Sequence, residues 1–590
     1  MHLSRAQISN FRNFKALDVA LGPNAVIVGE NRVGKSNFVF ALRLVLDPTL
    51  PDSARQLKLS DIWDGHDPTI DPQISVHVDF AEFENDPALT ALLTDYRLAE
   101  SHHVARLTYL FRKKPEIAGL PQTEGDFEFI VFGGGDEKRQ VKPDVRRRIC
   151  IDVLQALRDA ESELASWRSS PLRPLLDDAI ARIPQQAVTA VATDMSGVTA
   201  RMAALPPIQE LETNLRDRIA ALAGSTQDIH AKLGFAPTDP LRLFRSIRVF
   251  IDEGKRSLSE ASLGSANLAL LALKLAEFDW RRSKNERDHT IVCVEEPEAH
   301  LHPHLQRSVF QKLFRETDRA RSLFLTTHSP NIASVAPLGS LVLLKSEPDA
   351  GTRAYSLAKL NLEEDEREDL QRYLDVTRAE IFFSRAVVFV EGEAEVALLP
   401  AFARSIGIDL DELGITVCSV AGVNFSPHVK LATALNLPFS VITDWDPRPP
   451  ARPLGLSRSL GLIKDIRTVR GQPPPSAQEL AALEASEVAL RQAAIAVGIY
   501  MNDDTLELEI ARTTLVDALL TVIEAEDFGR IRRQRIVAWK TDPSTIDAEQ
   551  LLSIIADIGK GRLAGRLAAE AVGLPPPAYI RAALEHVAHG

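Results

Sequence analysis

The sequence predicts an α/β protein with two successive domains, each built on a largely parallel sheet, and with a helical segment inserted into the first domain. Three observations lead to this fold class. Apolar strands alternate with helical segments near the N-terminus and again over residues 263–344, as in a parallel sheet covered by helices. Residues 163–235 have helical patterning broken by prolines. A second series of strands and helices begins near residue 379.

The composition is that of an ordinary globular protein. The chain has 590 residues, 45% of them hydrophobic, and 68 Lys and Arg against 81 Asp and Glu give a formal charge of −13. Its three cysteines exclude a disulfide framework and a Cys-ligated zinc site. No apolar run is as long as a membrane span and the N-terminus has no signal-peptide apolar region, so we expect a cytoplasmic protein without a membrane partner. The net acidity does not exclude nucleic acid, because phosphate binding depends on local basic patches.

The elements can be placed in order along the chain. The strands LSRAQISNF and ALDVAL precede the apolar strand AVIVG, and SNFVFALRLVL has helical spacing. Segments 73–80, 104–111 and 127–132 have the alternation of antiparallel strands with one solvated face. Residues 476–498 predict one long helix rich in Ala and Glu. The predicted limits are 1–162 and 236–378 for the two parts of the first domain, 163–235 for the insert, and 379–590 for the second domain.

A phosphate-binding loop follows the strand AVIVG. The sequence GENRVGKS at residues 29–36 fits G-x-x-x-x-G-K-S and opens a helix, which is the context that defines a P-loop. Backbone N–H groups and the helix N-terminus would hold the phosphates of ATP. Lys35 would reach the β- and γ-oxygens, and Ser36 would hold Mg²⁺. The residues expected to bind the nucleotide here are Gly29, Asn31, Gly34, Lys35, Ser36 and Asn37.

Two later strands end in side chains suited to ATP hydrolysis. TIVCVEEPEAHLHP is an apolar strand ending in paired carboxylates, where Glu295 would contact Mg²⁺ and Glu296 would orient or deprotonate the attacking water. LFLTTHSP is a third apolar strand, and it ends in His328, whose imidazole can hydrogen-bond a γ-phosphate. A lone histidine after a strand is usually structural, but the order of the three motifs favours a nucleotide site.

This order of motifs resembles an ABC-type ATPase of the RecF and SMC kind. The opening ISNFRNF is similar to the first hairpin of that group, where Arg12 and Asn13 would lie near the nucleotide. In that family, ATP is held between the P-loop of one subunit and the signature motif of another. The resemblance therefore implies a homodimer, and the insert at 163–235 is the candidate for a further dimer contact.

The motifs depart from the family pattern at two places. The signature is SLGSAN instead of LSGGQ, with Ser262 and Gly264 at the matching positions. Glu295 stands where Asp is usual, which affects the metal contact. The Q-loop has two weak candidates, Gln73 and Gln155.

Four acids mark a second site. AVVFVEGEAEVALLP ends a strand in Glu391, and Glu395 falls on the first turn of the next helix. PFSVITDWD supplies Asp444 and Asp446, which we expect on the same side because a strand has period two. Oxygen ligands at the carboxyl ends of neighbouring parallel strands suit Mg²⁺ or Mn²⁺. Exposed loop acids are the alternative for either piece taken alone.

The second site resembles a Toprim domain in its strand-E-G-x-x-E and strand-D-x-D pattern. An ABC-type ATPase followed by Toprim is the arrangement of the OLD (overcoming lysogenization defect) nucleases, and this resemblance covers essentially the whole chain. It implies two-metal hydrolysis of DNA phosphodiesters, in phage defence or DNA repair. It also implies that Glu507, or less so Glu509, completes the metal site and that Lys560 neutralises charge on the pentavalent phosphate. Some family members are encoded beside a UvrD-like helicase, which suggests a further partner.

DNA is therefore the expected partner. RRR at 146–148 and RIRRQR at 530–535 are candidate contacts to its backbone, with a solvated helix face as an equal alternative. Because neither offers a base-reading motif, we expect little sequence specificity. The rival functions are a DNA-binding repair ATPase or clamp without nuclease activity, and a topoisomerase or primase. The intact acids argue against the first, and the lack of a recognisable DNA-nicking tyrosine module or cysteine-ligated zinc argues against the others.

Overall fold

The computed structural model describes most of the chain. The residues outside the description are 68–69, 122, 155–169, 224–231, 234–246, 248, 252–255, 258–261, 300, 317–320, 448–450 and 590. The chain divides into two compact units, Met1–Val153 with His289–Gly590, and Leu154–Asp288. None of the described helices has the length and apolar character needed to cross a bilayer.

The N-terminal part of the chain forms a run of strands with a largely buried helix. The strands are β1 (His2–Phe11), β2 (Phe14–Ala20), β3 (Ala25–Val28), β4 (Ile74–Ala81), β5 (Ala105–Lys113), β6 (Phe127–Gly133), β7 (Asp136–Gln140) and β8 (Ile149–Leu154). The helices are α1 (Lys35–Leu46), α2 (Asp52–Arg55), α3 (Pro87–Leu93) and α4 (Pro143–Arg148). The antiparallel strands predicted at 73–80, 104–111 and 127–132 are confirmed as β4, β5 and β6.

The second unit is mainly helical where it is described. Its helices are α5 (Leu172–Ala181), α6 (Gln185–Ala203), α7 (Pro206–Ala223) and α8 (Leu263–Ser283), and its short strands are β9 (Phe250–Ile251) and β10 (Arg256–Ser257). Helices α5 and α8 are joined by an ion pair of 2.6 Å between Asp178 and Lys284, just beyond the end of α8. The helical character predicted within 163–235 agrees with α5, α6 and α7.

Residues from 289 onward complete the large sheet. The elements are β11 (His289–Glu295), α9 (Pro303–Glu316), β12 (Arg321–Thr326), α10 (Pro330–Ala333), β13 (Leu341–Glu347), β14 (Gly351–Ser356) and α11 (Glu364–Tyr373). The strand order is β7-β6-β5-β4-β1-β2-β14-β13-β3-β12-β11-β8. Strands β11, β12, β3 and β13 are parallel neighbours. The carboxyl ends of β3, β11 and β12 therefore meet at one edge, which is where ligands bind in open α/β sheets.

A second, smaller sheet follows. Its elements are β15 (Ala386–Val390), α12 (Glu393–Ser405), β16 (Ile415–Ser419), α13 (Ser426–Ala434), β17 (Phe439–Thr443), α14 (Leu454–Val469), α15 (Ala477–Ala485), α16 (Glu487–Ile495) and β18 (Ile499–Met501). The order β16-β15-β17-β18 is parallel throughout. The single long helix predicted over 476–498 is wrong. The chain leaves the helical conformation at Ser486, whose hydroxyl accepts from the Ala489 N–H at 3.3 Å and so caps a new helix.

Helices at the C-terminus enclose the small sheet. They are α17 (Leu506–Ala511), α18 (Val516–Glu524), α19 (Arg530–Thr541), α20 (Ala548–Ile558), α21 (Lys560–Glu570) and α22 (Ala578–His589). Their buried side chains share one apolar core with Val388 of β15 and Phe402 of α12, while a separate core lies under the large sheet. This packing brings α17 and the start of α21 to the small sheet. The predicted limits of the four segments stay predictions.

Candidate functional site

The P-loop has the two glycines that its geometry requires. Gly29 has φ 147°, and a Cβ there would lie 2.5 Å from the carbonyl oxygen of Leu344. Gly34 has φ 97°, and a Cβ there would lie 2.1 Å from the side chain of Asn13. A side chain at either position would clash, so the loop can keep its backbone N–H groups exposed to a ligand only with glycine.

Lys35 begins α1 and is held inside the loop. Its ammonium donates to the carbonyl oxygens of Gly29 and Glu30, each at 2.9 Å. Burial lowers the pKa of Lys35 to about 8, although the charges of Glu296 and Glu298 act in the opposite direction. The lysine predicted to reach the phosphates therefore lies close to the acids that follow β11. The predicted Asn31 is exposed on the same loop, and the predicted Ser36 is exposed on the first turn of α1.

The first hairpin packs against the P-loop, as its resemblance to the family implied. The Asn13 amide donates to the Val33 carbonyl oxygen at 2.7 Å. The Arg12 guanidinium donates to the Asn37 side chain at 2.7 Å and to Asp61 at 2.8 Å. These contacts join Arg12, Asn13 and Asn37 to the loop that would hold the phosphates.

The acids after β11 and the histidine after β12 lie together. Glu296 has a left-handed φ of 44°, a conformation that costs energy and is concentrated at functional sites. Its carboxylate lies 4.0 Å from Nε2 of His328. Burial, followed by the charge of Lys35, lowers the pKa of His328, so the ring is neutral at physiological pH. Burial raises the pKa of Glu295, although the charge of Arg43 acts in the opposite direction.

Sequence reasoning missed Glu298. Its carboxylate accepts from the Thr327 hydroxyl at 2.8 Å and from the His328 N–H at 2.6 Å. Gln306 extends the connection, because its amide donates to the Leu301 carbonyl oxygen and accepts from the Ser329 hydroxyl at 2.6 Å. The loop after β11 thus holds the loop after β12 in place. The sequence did contain a signal for this residue, because Glu298 is the third acid of the EEPE run at the end of β11.

The signature residues lie in the other unit. Ser262 precedes α8, and its hydroxyl accepts from the Ser265 N–H, while Gly264 is buried within the helix. Of the two Q-loop candidates, Gln73 is exposed and its carbonyl oxygen accepts from Asn10. Gln155 lies outside the described residues.

The second predicted site lies at the carboxyl edge of the small sheet. Glu391 follows β15, and its Oε1 accepts from the Thr443 hydroxyl at 2.6 Å and from the Asp444 N–H at 3.0 Å. The prediction that strand alternation places Asp444 and Asp446 on the same side is wrong in its reason. Strand β17 ends at Thr443 and Asp446 has φ 51°, so the direction of the two acids is set by a loop and not by strand alternation.

Buried carboxylates surround Asp444. Burial, and then the charge of Glu391, raises the pKa of Asp444 to about 8. Burial raises the pKa of Glu395 to about 7, and the charges of Glu391 and Glu507 act in the same direction. Glu507 on α17 is also buried, and its Oε2 has no hydrogen-bond partner in the described structure. Glu509 pairs with Arg512 at 3.1 Å instead, so Glu507 is the acid that α17 presents to the cluster.

Three further side chains contact these acids. The Lys560 ammonium lies 2.9 Å from Glu507, and its predicted role toward a phosphate stays a prediction. Arg458 on α14, which sequence reasoning missed, donates to Glu391 at 2.7 Å and to Asp446 at 3.2 Å. Asn502, also missed, donates to Oδ1 of Asp444.

The residues present fit a divalent cation. Among the described residues, no three His, Cys, Asp or Glu side chains already form an ion-binding cage, and Arg458 and Asn502 hold one oxygen each of Glu391 and Asp444. The unpartnered Oε2 of Glu507 and the raised pKa values of Asp444 and Glu395 show an excess of buried carboxylate. Hard oxygen donors of this kind are the ligands of divalent metal ions such as those of phosphoryl-transfer enzymes.

The two basic segments differ in what they offer. In 530–535, on α19, Arg532 pairs with Asp557 and Arg533 pairs with Asp527, and the helix face is exposed. In 146–148, burial lowers the pKa of Arg146 and Arg147 pairs with Asp144 at 3.4 Å. The second segment is therefore less available to a phosphate backbone.

Comparison with known proteins agrees with this two-site arrangement. The family model described as overcoming lysogenization defect protein-like, TOPRIM domain, matches residues 382–446. The model described as AAA domain, putative AbiEii toxin, Type IV TA system, matches residues 25–334. The OLD nuclease of Thermus scotoductus is 26% identical over 464 residues, which are 75% of this chain and 82% of that protein. Endonuclease GajA of Bacillus cereus VD045 is 22% identical over 479 residues, 78% of each chain.

One solved structure is also similar to the C-terminal part of the chain. The C-terminal region of the Burkholderia pseudomallei OLD protein is 39% identical, covering 35% of this chain and 98% of that one with a TM-score of 0.32. Fold, motifs and matches together define an ATPase domain joined to a Toprim domain, which confirms the predicted fold class. The chain belongs to the OLD family of nucleases.

Proposed function

We propose that the chain is an ATP-hydrolysing, metal-dependent DNA endonuclease that cuts with little sequence specificity. The observation that carries this proposal is the carboxylate cluster at the small sheet. Its acids come from two strand ends and two helices, and basic side chains flank them: Arg458 beside Glu391 and Lys560 beside Glu507. Such a set of buried oxygen ligands beside a lysine suits phosphodiester hydrolysis.

Each residue has a separate part in the proposed reaction. The metal ligands are Glu391, Glu395, Asp444, Asp446 and Glu507. Two cations bound there would lower the pKa of the attacking water and stabilise the leaving 3′ oxygen. Lys560 would hold a non-bridging oxygen of the scissile phosphate and neutralise the charge that grows on it during attack. Mg²⁺ is the expected ion, and Mn²⁺ has the same ligand preference.

In the ATPase domain, the loop residues would bind ATP with Mg²⁺. Phosphate oxygens would replace the carbonyl oxygens that now accept from Lys35. Ser36 and Glu295 would hold the metal ion. Glu296 would orient the attacking water, and the neutral His328 beside it would donate to the γ-phosphate.

The apolar surface of the second unit supports a homodimer. Helices α6 and α7 and the turn between them expose large apolar side chains, and exposed apolar surface of this kind is typical of an interface. They are Val191, Val198, Met202, Leu205, Ile208, Leu211, Leu215 and Leu222. Leu211→Glu should produce monomers by light scattering, whereas the neighbouring polar change Gln209→Glu should not. The signature residues Ser262 and Gly264 of one copy would then act on the nucleotide of the other.

DNA would contact the exposed arginines of α19 through its backbone. We propose phage defence or DNA repair as the setting, with a UvrD-like helicase as a further partner that co-purification can test. The rival function is a DNA-binding repair ATPase or clamp, in which the small-sheet domain cuts nothing.

One gel separates these functions. Supercoiled plasmid is incubated with the full chain and Mg²⁺ or Mn²⁺, with an EDTA lane as the control. Nicked and linear products that EDTA abolishes are the expected result. Relaxed closed circles would indicate a topoisomerase. Plasmid that stays unchanged with either ion would support the DNA-binding clamp without nuclease activity.

A further inference from the structure

Arg458 carries no recognisable motif, yet it lies between two of the strand-end acids. We propose that Arg458 is a positioning residue of the metal site, which holds one oxygen of Glu391 and one of Asp446 so that their second oxygens face the cation. The inference rests on the proposed function, because it assigns Arg458 a part in the same site.

The contacts of Arg458 are specific. One terminal nitrogen donates to Oε1 of Glu391 at 2.7 Å and to the Asp444 carbonyl oxygen at 3.2 Å, and it also contacts the Thr443 hydroxyl. The other terminal nitrogen donates to Oδ2 of Asp446 at 3.2 Å. Only 9% of the side chain is exposed. Removing a guanidinium from water to this extent carries a desolvation penalty, which the hydrogen bonds to its partners must offset.

These bonds divide the oxygens of each acid into two kinds. Oε1 of Glu391 accepts from Thr443, Asp444 and Arg458, whereas Oε2 has no protein donor in the described structure. Oδ2 of Asp446 accepts from Arg458, and Oδ1 of Asp446 has no protein donor in the described structure. Asn502 orients Asp444 in a similar manner, because its amide donates to Oδ1 of that carboxylate. Partners that orient ligating carboxylates are a general feature of metal sites.

The backbone explains why such a partner is needed. Asp446 lies beyond the end of β17 with φ 51°, and its backbone bonds the Asp504 carbonyl oxygen at 3.2 Å and the Leu454 N–H at 3.3 Å instead of a neighbouring strand. These bonds fix the backbone of Asp446 but leave the direction of its carboxylate to a side-chain partner. The start of α14 packs directly on this loop: the Gly455 N–H donates to the Trp445 carbonyl oxygen at 3.0 Å, and a Cβ on Gly455 would lie 2.9 Å from the Asp444 carbonyl oxygen. This close approach places the Arg458 fork over both acids.

Charge and shape make separate demands on this position. A guanidinium presents donors in a rigid planar fork and can bind two carboxylates at once, whereas an ammonium is a point charge on a flexible stem. If Arg458 served only to balance charge, lysine would replace it. If it positions the acids, lysine should restore metal binding only in part.

The test compares three variants of the full chain: Arg458→Gln, Arg458→Lys, and the control Arg467→Gln. Arg467 lies on the same helix and pairs with Glu479 at 2.7 Å, away from the acids. Mn²⁺ binding is measured directly by electron paramagnetic resonance, and plasmid cleavage is measured against Mn²⁺ concentration. Arg458→Gln should weaken Mn²⁺ binding by roughly 10- to 100-fold, the usual effect of losing such a partner, and Arg458→Lys should lie between it and the wild type. ATPase rate should stay unchanged in all three.

The outcomes separate this inference from the proposed function. Wild-type Mn²⁺ affinity in Arg458→Gln, or in Arg458→Lys should the glutamine variant not fold, would overturn the positioning role. Wild-type protein that binds Mn²⁺ but cuts no DNA would overturn the nuclease function, while the binding series would still decide the role of Arg458. Absence of Mn²⁺ binding by the wild type would overturn both.

Discussion

Lys560 and Glu507 form an ion pair of 2.9 Å at the edge of the carboxylate cluster. Lys560 begins α21 directly after Gly559, which has φ 92°, so the glycine makes the turn that directs the lysine to α17. Burial disfavours the charged form, but the hydrogen bond and charge of Glu507, with the charges of Asp444 and Glu395, raise the pKa of Lys560. The ammonium is therefore charged, and 60% of the side chain stays exposed, which leaves it accessible to a phosphate.

We predict that Lys560→Ala lowers the rate of plasmid cleavage by roughly 10²–10³, the scale of losing one charge-stabilising donor. DNA affinity should fall much less, because one phosphate contact changes the salt slope by only about one. Lys464→Ala, an exposed lysine on α14, is the matched control. Equal losses of cleavage rate and of DNA affinity, measured at several salt concentrations, would show that Lys560 is an ordinary contact to the DNA backbone. No loss in either assay would show that Lys560 is a surface lysine without a role in the site.

Strand-end residues of both sites could be predicted, because an apolar strand followed by an acid or a glycine loop is visible in the sequence. Glu507 and Lys560, which come from distant helices, were expected only through the family resemblance, and distant side chains outside any motif could not be predicted. Arg458 reaches Glu391 and Asp446 only because α14 packs on the loop after β17. The direction of Asp446 was wrongly attributed to strand alternation, since nothing local shows that β17 ends at Thr443.

The ATPase site should separate binding from turnover. Lys35→Ala should abolish tight nucleotide binding, because it removes the charge inside the loop. Glu296→Gln should bind ATP and hydrolyse it slowly, since the water-orienting acid is a separate part. Filter binding and phosphate release measure the two steps, and Glu316→Gln at the exposed end of α9 is the control. Unchanged turnover in Glu296→Gln would remove its assigned role.

Glu298 offers a sharper test of the same site. Glu298→Gln keeps the size of the side chain but replaces one oxygen that accepts from Thr327 or from the His328 N–H. We expect ATP turnover to fall about 10-fold, the scale of one lost hydrogen bond to a charged group, with ATP affinity nearly unchanged. Normal phosphate release by this variant would show that the link between the two loops has no part in hydrolysis.

The acids of the small sheet should act as a unit. Glu395→Ala and Asp444→Ala should each remove most metal-dependent cleavage and leave ATP hydrolysis intact, because losing one ligand displaces a cation that the transition state needs. Asp446→Ala should lower cleavage less than the other two changes if Asp446 binds only one of the two cations. Glu393→Ala, an exposed acid on the same turn as Glu395, is the control. Full cutting by the Glu395 and Asp444 variants would contradict the Toprim assignment.

Metal binding should strengthen as pH rises. In the metal-free protein, burial together with neighbouring carboxylates raises the pKa of Asp444 to about 8 and that of Glu395 to about 7, compared with about 4 in an unfolded chain. Their contribution to stability is present at low pH and is lost as pH rises through these folded-state values. A cation must displace the same protons, so its affinity should rise by up to about tenfold per pH unit for each proton released. Thermal unfolding with and without Mg²⁺ should therefore show a larger stabilisation at about pH 8.5 than at about pH 6, and Asp444→Asn should flatten the difference. An equal shift at both pH values would mean that the cation binds away from these acids.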